Sequence, residues 1–156
     1  MITPPTTVAE VMTRKIVTIT EGDALEEAEQ GMQRLRFRHL PVVDSRGRLV
    51  GLLSHGDLLH ASSSFLSDQE AERNAVILQQ PVARVMQHEV LTVQPEDSII
   101  QAGKVLYESK IGCLPVVDAE GALLGILTKS DFIRLALELL GSGVQRPDVE
   151  QLARAV

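Results

Sequence analysis

Apolar and polar positions follow two patterns along this chain, and each pattern occurs twice. Short runs of β-branched and aliphatic residues at 16–19 and 90–93 predict strands. After each run, apolar residues recur at helical spacing: Leu25, Ala28, Met32 and Leu35 in the first case, and Ile99, Ala102 and Leu106 in the second. One face of each predicted helix is therefore expected to be buried.

A β-hairpin and a closing helix are predicted after each of these helices. The hairpin strands are 40–43 with 49–53, and 114–117 with 123–127, around turns that end in Gly47 and Gly121. The closing helices are expected to begin near Ser54 and Thr128. Together these elements predict a mixed α/β (α+β) fold.

Two shorter helices complete the prediction. Thr7-x-x-Glu10 has the form of a capping box, which would open a helix that ends at Val11–Met12. Between the two copies, Ser67-x-x-Glu70 predicts a helix to about Leu78, stopped by Pro81.

The chain repeats itself at an offset of 74 residues. Between 11–57 and 85–131 no gap is needed, and 15 of 47 positions are identical, which chance does not produce. The organisation predicted is a first domain at 7–62, a linker helix at 63–80, a second domain at 81–140 and a tail at 141–156. A duplicated unit of this size usually cannot bury its apolar face alone, so the copies are expected to pack through their sheets about a pseudo-twofold axis.

Composition and charge narrow the class of protein. The chain has 156 residues with 44% hydrophobic content and no Trp, so the core must be aliphatic. No apolar run approaches the roughly 18 residues of a membrane span and the first residues do not form a signal peptide, so a cytoplasmic protein is expected. A net charge of −6 argues against a general nucleic-acid surface.

Catalytic and metal chemistry find no support in the sequence. No Ser/His/Asp constellation, glycine-rich P-loop or dinucleotide fingerprint is present, and the four His residues show no ligand spacing. Cys113 is the only cysteine, so an intrachain disulfide is excluded. We therefore expect a binding module that is not an enzyme in its own right, with no covalent cofactor and no metal.

The ordered motif Leu-Pro-Val-Val-Asp, a turn Gly, a second Gly, an aliphatic strand and Ser/Thr-x-x-Asp occurs twice. In this it resembles the tandem cystathionine β-synthase (CBS) domain pair, or Bateman module, over roughly residues 7–137. The resemblance implies two β-α-β-β-α units with two clefts, a regulatory role, and binding of adenosine-containing ligands: AMP, ADP, ATP or S-adenosylmethionine. The regulated partner protein is unknown.

The Ser/Thr-x-x-Asp pairs, Ser54 with Asp57 and Thr128 with Asp131, have two interpretations. On spacing alone they are capping boxes, like Thr7-x-x-Glu10. The resemblance implies instead that each Asp accepts hydrogen bonds from the ribose hydroxyls while the Ser or Thr faces phosphate. A carboxylate matches a vicinal diol, and a helix N-terminus offers N–H groups to phosphate.

The remaining candidate residues follow from the resemblance. The first strand would flank adenine through Ile16, Val17 and Thr18, and in the second copy through Val90, Leu91 and Thr92, although plain core packing explains these residues equally well. The start of the second strand would edge the base pocket through His39, Leu40 and Pro41, and through Cys113, Leu114 and Pro115. Proline lacks a ladder donor, so both prolines are expected at a strand start or edge, leaving a local gap in the sheet.

Basic residues crowd the first copy near this point. Arg34, Arg36, Arg38 and His39 correspond to Glu108, Lys110, Gly112 and Cys113 in the second copy. A solvated face explains such a run, while the functional alternative is phosphate contact by Arg36, Arg38 or His39, with His55 and Lys129 as further candidates.

Three functions compete at this stage. The leading hypothesis is a regulatory sensor of adenine nucleotides, and the runner-up is a structural dimerisation or docking module. Nucleic-acid binding through residues 34–39 is the third. A homodimer is expected through the apolar helices 24–35 and 131–140, unless the tail 144–156 folds back over 132–140.

Overall fold

The computed structural model describes residues 3–62 and 68–141, which form two compact units of mixed α and β structure. We call them after one acidic residue in each. The Asp57 unit consists of the described residues from 17 to 89, and the Asp131 unit combines residues up to 16 with the described residues from 90 onward. The predicted mixed α/β fold built from a repeated unit is confirmed.

The helices and strands follow the predicted order with small changes of boundary. In chain order they are α1 (Val8–Val11), β1 (Ile19–Thr20), α2 (Leu25–Leu35), β2 (His39–Val43), β3 (Leu49–Ser54), α3 (His55–Ser62), α4 (Asp68–Leu78), a 3₁₀ turn (Val82–Arg84), α5 (Ile99–Glu108), β4 (Cys113–Val117), β5 (Leu123–Thr128) and α6 (Lys129–Leu139). Both hairpins, both closing helices and the helix between the copies are therefore confirmed. The predicted tail from 142 onward lies outside the described residues.

Each unit contains one small sheet. In the Asp57 unit the strand order is β1-β2-β3, with β1 parallel and β3 antiparallel to β2. In the Asp131 unit β4 pairs with β5, and Val93 forms a single parallel bridge with Val116. Both hairpins share one register, since His39 lies opposite Ser54 and Cys113 lies opposite Thr128.

The first predicted strand of each copy is much shorter than expected. Residues 16–18 and 90–92 lie outside any ladder, and only Ile19–Thr20 and Val93 pair. The reason lies in the neighbouring strand: Val93 N–H donates to the carbonyl of Pro115 at 3.1 Å, and the next parallel rung would need an N–H on that proline. Pro41 ends the ladder of the first copy in the same register.

The sheet gap at the prolines is thus present, but their predicted position is wrong for the first copy. Pro41 is the third residue of β2, which lies between β1 and β3, and its side chain is fully buried. A proline is tolerated inside this strand because its nitrogen points toward the side on which β1 has already ended.

The core of each unit lies between its sheet and its helices. Buried residues of the Asp57 unit are Ile19, Leu25, Ala28, Met32, Leu40, Val42, Leu53, Leu58, Val82 and Met86. Those of the Asp131 unit are Val8, Val11, Met12, Ile99, Ala102, Leu106, Leu114, Val116 and Leu127. The apolar faces predicted for α2 and α5 are therefore the faces that the structure buries.

Residues 8–13 and 82–87, which we call the opening segments of the two repeats, each pack in the unit of the other repeat. In the Asp131 unit the N–H of Val8 donates to Asp97 O at 2.9 Å, and Thr13 and Ile126 exchange two backbone hydrogen bonds of 2.9 Å. In the Asp57 unit the 3₁₀ turn occupies the equivalent place, where Gln87 pairs with Leu52 at 2.8 and 3.0 Å. Each compact unit therefore combines chain from both repeats.

The predicted capping box at the start of α1 is present. The carboxylate of Glu10 accepts the backbone N–H groups of Thr7 and Thr6, both at 2.9 Å. The N–H of Thr7, followed by that of Thr6, lowers the pKa of Glu10 to about 2 because these bonds stabilise the ionised form. The capping box with ionised Glu10 therefore fixes the N-terminal end of α1.

Candidate functional site

The predicted pair Ser54 and Asp57 lies where β3 becomes α3. Asp57 Oδ2 accepts the backbone N–H of Ser54 at 2.7 Å and its hydroxyl at 2.6 Å, while Asp57 N–H returns a bond to Ser54 Oγ at 3.1 Å. Gln87 Nε2 lies 3.3 Å from Asp57 Oδ1. The capping interpretation is therefore correct as local geometry, and it occupies mainly one carboxylate oxygen.

Thr128 and Asp131 form the same box at the start of α6. Asp131 Oδ2 accepts the N–H and the hydroxyl of Thr128, both at 2.9 Å. Its Oδ1 accepts the Thr13 hydroxyl at 3.2 Å and lies 3.5 Å from the Arg134 guanidinium. Asp131 is the one buried charged residue in the described chain, with 6% of its surface exposed, whereas Asp57 is half-buried.

The structure brings further predicted residues of the first copy to this end of the sheet. His39 pairs with Ser54 across the hairpin, and the N–H of His55 donates to Arg38 O at 2.8 Å. Arg38 is exposed, and His39 and His55 are half-buried. Three side chains able to carry positive charge thus lie around the N-terminus of α3.

The equivalent end of the Asp131 unit carries less positive charge. Lys129 N–H donates to Gly112 O at 3.3 Å, so a glycine stands where the first copy has Arg38. Lys129 is exposed, and Cys113 replaces His39. Burial raises the pKa of Cys113 to about 12, because a thiolate would lose its hydration there. At neutral pH this thiol therefore adds no charge to the site.

The residues predicted to flank adenine lie beside the sheet gap. Val17 is 38% exposed and Leu91 is 56% exposed. Thr18 and Thr92 are exposed, and Ile16 and Val90 are half-buried. Core packing therefore does not explain Val17 and Leu91, whose side chains are available to a ligand.

Five predicted residues have side chains that belong to the core instead. These are Leu40, Pro41, Cys113, Leu114 and Pro115, all of them buried. Any contact of these residues with a ligand would have to use their main chain.

The other two arginines of the basic cluster at 34–39 lie at the C-terminal end of α2. Arg34 lies in the last turn of α2, where its charge complements the helix dipole, and Arg36 follows as the left-handed cap with φ of 55°. Both are exposed, as the solvated-face interpretation predicts.

Sequence reasoning missed three residues that contact the two carboxylates: Thr13, Gln87 and Arg134. Thr13 lies 118 positions from Asp131, so no local pattern reveals the contact. A signal was nevertheless present, because Thr13 and Gln87 occupy equivalent positions directly after the repeated Val-Met pair. The end of each opening segment is thereby placed against one of the two carboxylates.

Comparison with known proteins agrees with this organisation. The sequence profile of the CBS domain matches residues 8–64 and 82–138. The chain belongs to the CBS-domain family. It is 29% identical over 134 residues to a CBS domain-containing protein of Dictyostelium discoideum, covering 85% of this chain and 92% of that protein. The resemblance to a tandem CBS pair is therefore confirmed.

Relatives differ in what surrounds the CBS pair. A homoserine O-acetyltransferase of Methanococcoides burtonii is 35% identical over 130 residues, which is 83% of this chain but 24% of that protein. This chain spans about a quarter of that relative's length. The name of the whole relative therefore says nothing about catalysis by this chain.

Among solved structures, the CBS-pair protein CBSX2 of Arabidopsis thaliana has been determined in complex with AMP. It is 28% identical to this chain, covers 87% of this chain and 99% of its own, and superposes with a TM-score of 0.74. A ligand-binding module is thus consistent with the family.

Within residues 3–62 and 68–141, no group of three or more His, Cys, Asp or Glu side chains is placed to hold a metal ion. No helix in that part of the chain is long and apolar enough to cross a membrane.

Proposed function

We propose that this chain is a regulatory module that binds an adenine nucleotide, such as AMP, ADP or ATP, and signals its binding state to a partner protein. One observation carries the proposal. The carboxylate of Asp57, at the N-terminus of α3, lies at the same end of the sheet as residues 16–18, which make no ladder hydrogen bonds. The AMP complex of the related CBSX2 supports the choice of adenine nucleotides. The proposal gives the chain no catalytic step of its own, and a cytoplasmic location stays a prediction.

The chemistry of the Asp57 unit fits the parts of a nucleotide. A carboxylate oxygen of Asp57 can accept hydrogen bonds from a ribose diol. Arg38, His55 and the N-terminus of α3 offer positive potential to phosphate. Val17 and Thr18 provide an apolar surface and main-chain groups for the base, since Pro41 cannot donate to a ladder at that place.

A nucleotide is expected to stabilise the folded chain. Binding to the native state alone raises the free energy of unfolding by about 2.7 kcal/mol at a ligand concentration 100-fold above the dissociation constant. The measurement is the melting temperature in a panel of AMP, ADP, ATP, S-adenosylmethionine and NAD. If no member of the panel at millimolar concentration shifts the melting temperature, the nucleotide proposal is wrong.

The same panel separates the alternatives. A structural or docking module predicts no shift with any ligand, and an S-adenosylmethionine sensor predicts a shift with that compound alone. Nucleic-acid binding through residues 34–39 predicts affinity that falls steeply with salt and survives Asp57→Asn.

We also propose that two copies of the chain pair through the helices of the Asp131 unit. Helix 24–35, which was predicted to take part, is not included, because Leu25, Ala28 and Met32 are buried in the core of their own unit and no large apolar side chain of α2 is exposed. Large apolar side chains are exposed on α5, along α6 and on the residue after α6: Ile100, Tyr107, Ile133, Leu137, Leu139 and Leu140. The positions of α2 equivalent to Ile100 and Tyr107 hold Glu26 and Gln33. An apolar face present on one repeat and polar on the other is typical of a surface that is covered, and twofold pairing covers it on both subunits.

The dimer is tested by replacing this face with its polar counterpart from the first repeat. Ile100→Glu with Tyr107→Gln is expected to convert a dimer into a monomer in light scattering at micromolar concentration. Glu26→Gln with Gln33→Glu is the matched control in α2. A monomeric unaltered chain that self-associates only when shortened to end at Ser142 would instead favour cover by the tail, which lies outside the described residues.

A further inference from the structure

Asp57 and Asp131 have the same hydrogen-bond partners at Oδ2 and different partners at Oδ1. Oδ2 of Asp57 and Oδ2 of Asp131 each accept the N–H and hydroxyl of the capping residue, at distances between 2.6 and 2.9 Å. A ligand that approaches either residue therefore has to compete for Oδ1. The partners of that second oxygen decide whether it is available.

At Asp131 the second oxygen is held by groups that are themselves fixed. The Thr13 hydroxyl donates to it at 3.2 Å, and the guanidinium of Arg134 lies at 3.5 Å. Arg134 is fixed further by Glu138 at 2.8 Å and by the carbonyl of Val11 at 3.3 Å. Both side chains are largely buried, since 8% of the side-chain surface of Asp131 and 17% of that of Arg134 are exposed.

At Asp57 the second oxygen has one neutral donor, and no cation is paired with it in the part of the chain that the structure describes. One amide, Nε2 of Gln87, lies 3.3 Å from Oδ1 and 3.5 Å from Oδ2. These distances are similar to those at Asp131, so the two carboxylates differ in the charge and the burial of their partners. Gln87 is exposed and Asp57 is half-buried, so solvent reaches this pair. Water or a ligand hydroxyl can replace an exposed amide at little cost, because neither partner is left buried without a hydrogen bond.

Displacing the partners of Asp131 is much less favourable. Removing a buried carboxylate from its cation leaves uncompensated charge, and such losses far exceed the gain of one new hydrogen bond. Because Arg134 is held by three groups, it cannot turn aside to admit a diol.

We infer that the two repeats have divided the roles of their equivalent carboxylates: Asp57 binds the ligand diol, while Asp131 is a structural residue that fastens the opening segment through Thr13 and Arg134. This inference rests on the proposed nucleotide function for its Asp57 part. Its Asp131 part concerns folding alone. The repeat therefore provides one ligand-accessible carboxylate per chain.

The binding part is tested by calorimetric titration of the full chain with AMP. The unaltered chain is expected to bind one AMP, and Asp57→Asn is expected to weaken binding on the order of 10- to 100-fold through loss of charge-assisted hydrogen bonds. Asp131→Asn is expected to change the AMP affinity by less than about threefold while lowering the melting temperature. Asp97→Asn removes the same charge from an exposed turn and serves as the control for net charge.

The structural part is tested without ligand by a double-mutant cycle. Thr13→Val and Asp131→Ala are expected to be coupled, so that their combination changes the unfolding equilibrium constant on the order of fivefold less than the product of the single changes. Gln87→Leu combined with Asp57→Ala is the matched cycle and is expected to show little coupling.

The outcomes separate the inference from the proposed function. Two AMP molecules per chain, with one site lost in each Asn variant, would overturn the division of roles and leave the nucleotide function standing. Absence of AMP binding to the unaltered chain at millimolar concentration would overturn the Asp57 part together with that function. Absence of coupling between Thr13 and Asp131 would overturn the Asp131 part whatever AMP does.

Discussion

Met12→Ala is expected to lower the free energy of unfolding by about 2–5 kcal/mol, and to do so in the unit that contains the second hairpin. Met12 is 3% exposed and packs in the core formed by α5, β4 and β5, although it precedes the first hairpin in the sequence. Hydrogen exchange under native conditions is the measurement, because it locates the region that opens. We expect faster exchange in α5 and β4.

Met86→Ala is the matched control, because Met86 also packs in the unit of the other repeat. Met86 is 5% exposed and belongs to the core of the Asp57 unit, so its loss is expected to accelerate exchange in α2 and β2. If Met12→Ala accelerated exchange chiefly in β2 and β3, the opening segments would pack with their own repeats and the observed arrangement of the units would be contradicted.

The sequence does not predict that each opening segment packs in the unit of the other repeat. Helical spacing identified α2 and α5, and the turn residues identified both hairpins, because those signals are local. The apolar residues Val8, Val11 and Met12 likewise show that α1 needs a buried partner. They do not show which partner, since two sheets of nearly equal sequence are available and each accepts a Val-Met pair.

The shortened first strands have a different cause. Residues 16–19 have strong β propensity, yet propensity describes only the strand itself, and a ladder also needs donors on its neighbour. Pro41 and Pro115 remove one donor each. Proline was recognised in the sequence as the origin of a gap, but its consequence for the adjacent strand required the parallel register Ile19 with Val42 and Val93 with Val116.

For the candidate sites, the sequence likewise predicts the local motif but not its distant contacts. The carboxylates and their capping residues were identified from spacing, and their capping geometry is as the local pattern predicts. What distinguishes Asp131 from Asp57 is Arg134, together with the change from Gln87 to Thr13 at the end of the opening segment. Thr13 is 118 positions from Asp131, and Arg134 lies outside the Ser/Thr-x-x-Asp motif, so the motif that both repeats share does not predict either contact.

The close approach of the opening segment to β5 depends on a missing side chain. A Cβ placed on Gly125 would lie 2.8 Å from Thr13 O and 3.0 Å from Met12 Sδ. The carbonyl cannot move aside without breaking the hydrogen bonds that Thr13 exchanges with Ile126. Gly125→Ala is therefore expected to cost about 1–3 kcal/mol of unfolding free energy, and Gly125→Val to reach at least the upper end of that range.

Denaturant unfolding of Gly125→Ala beside Gly22→Ala measures this effect against a matched control, because nothing lies within 4 Å of a Cβ at Gly22. A loss of stability in both variants alike would show that glycine is not needed for packing at 125. A loss at Gly125 alone is the expected result. The added Cβ at position 125 would then displace Thr13, whose hydroxyl donates to Asp131. The same substitution should therefore abolish the coupling between Thr13 and Asp131, since that coupling requires the main chain of residue 13 to lie against β5.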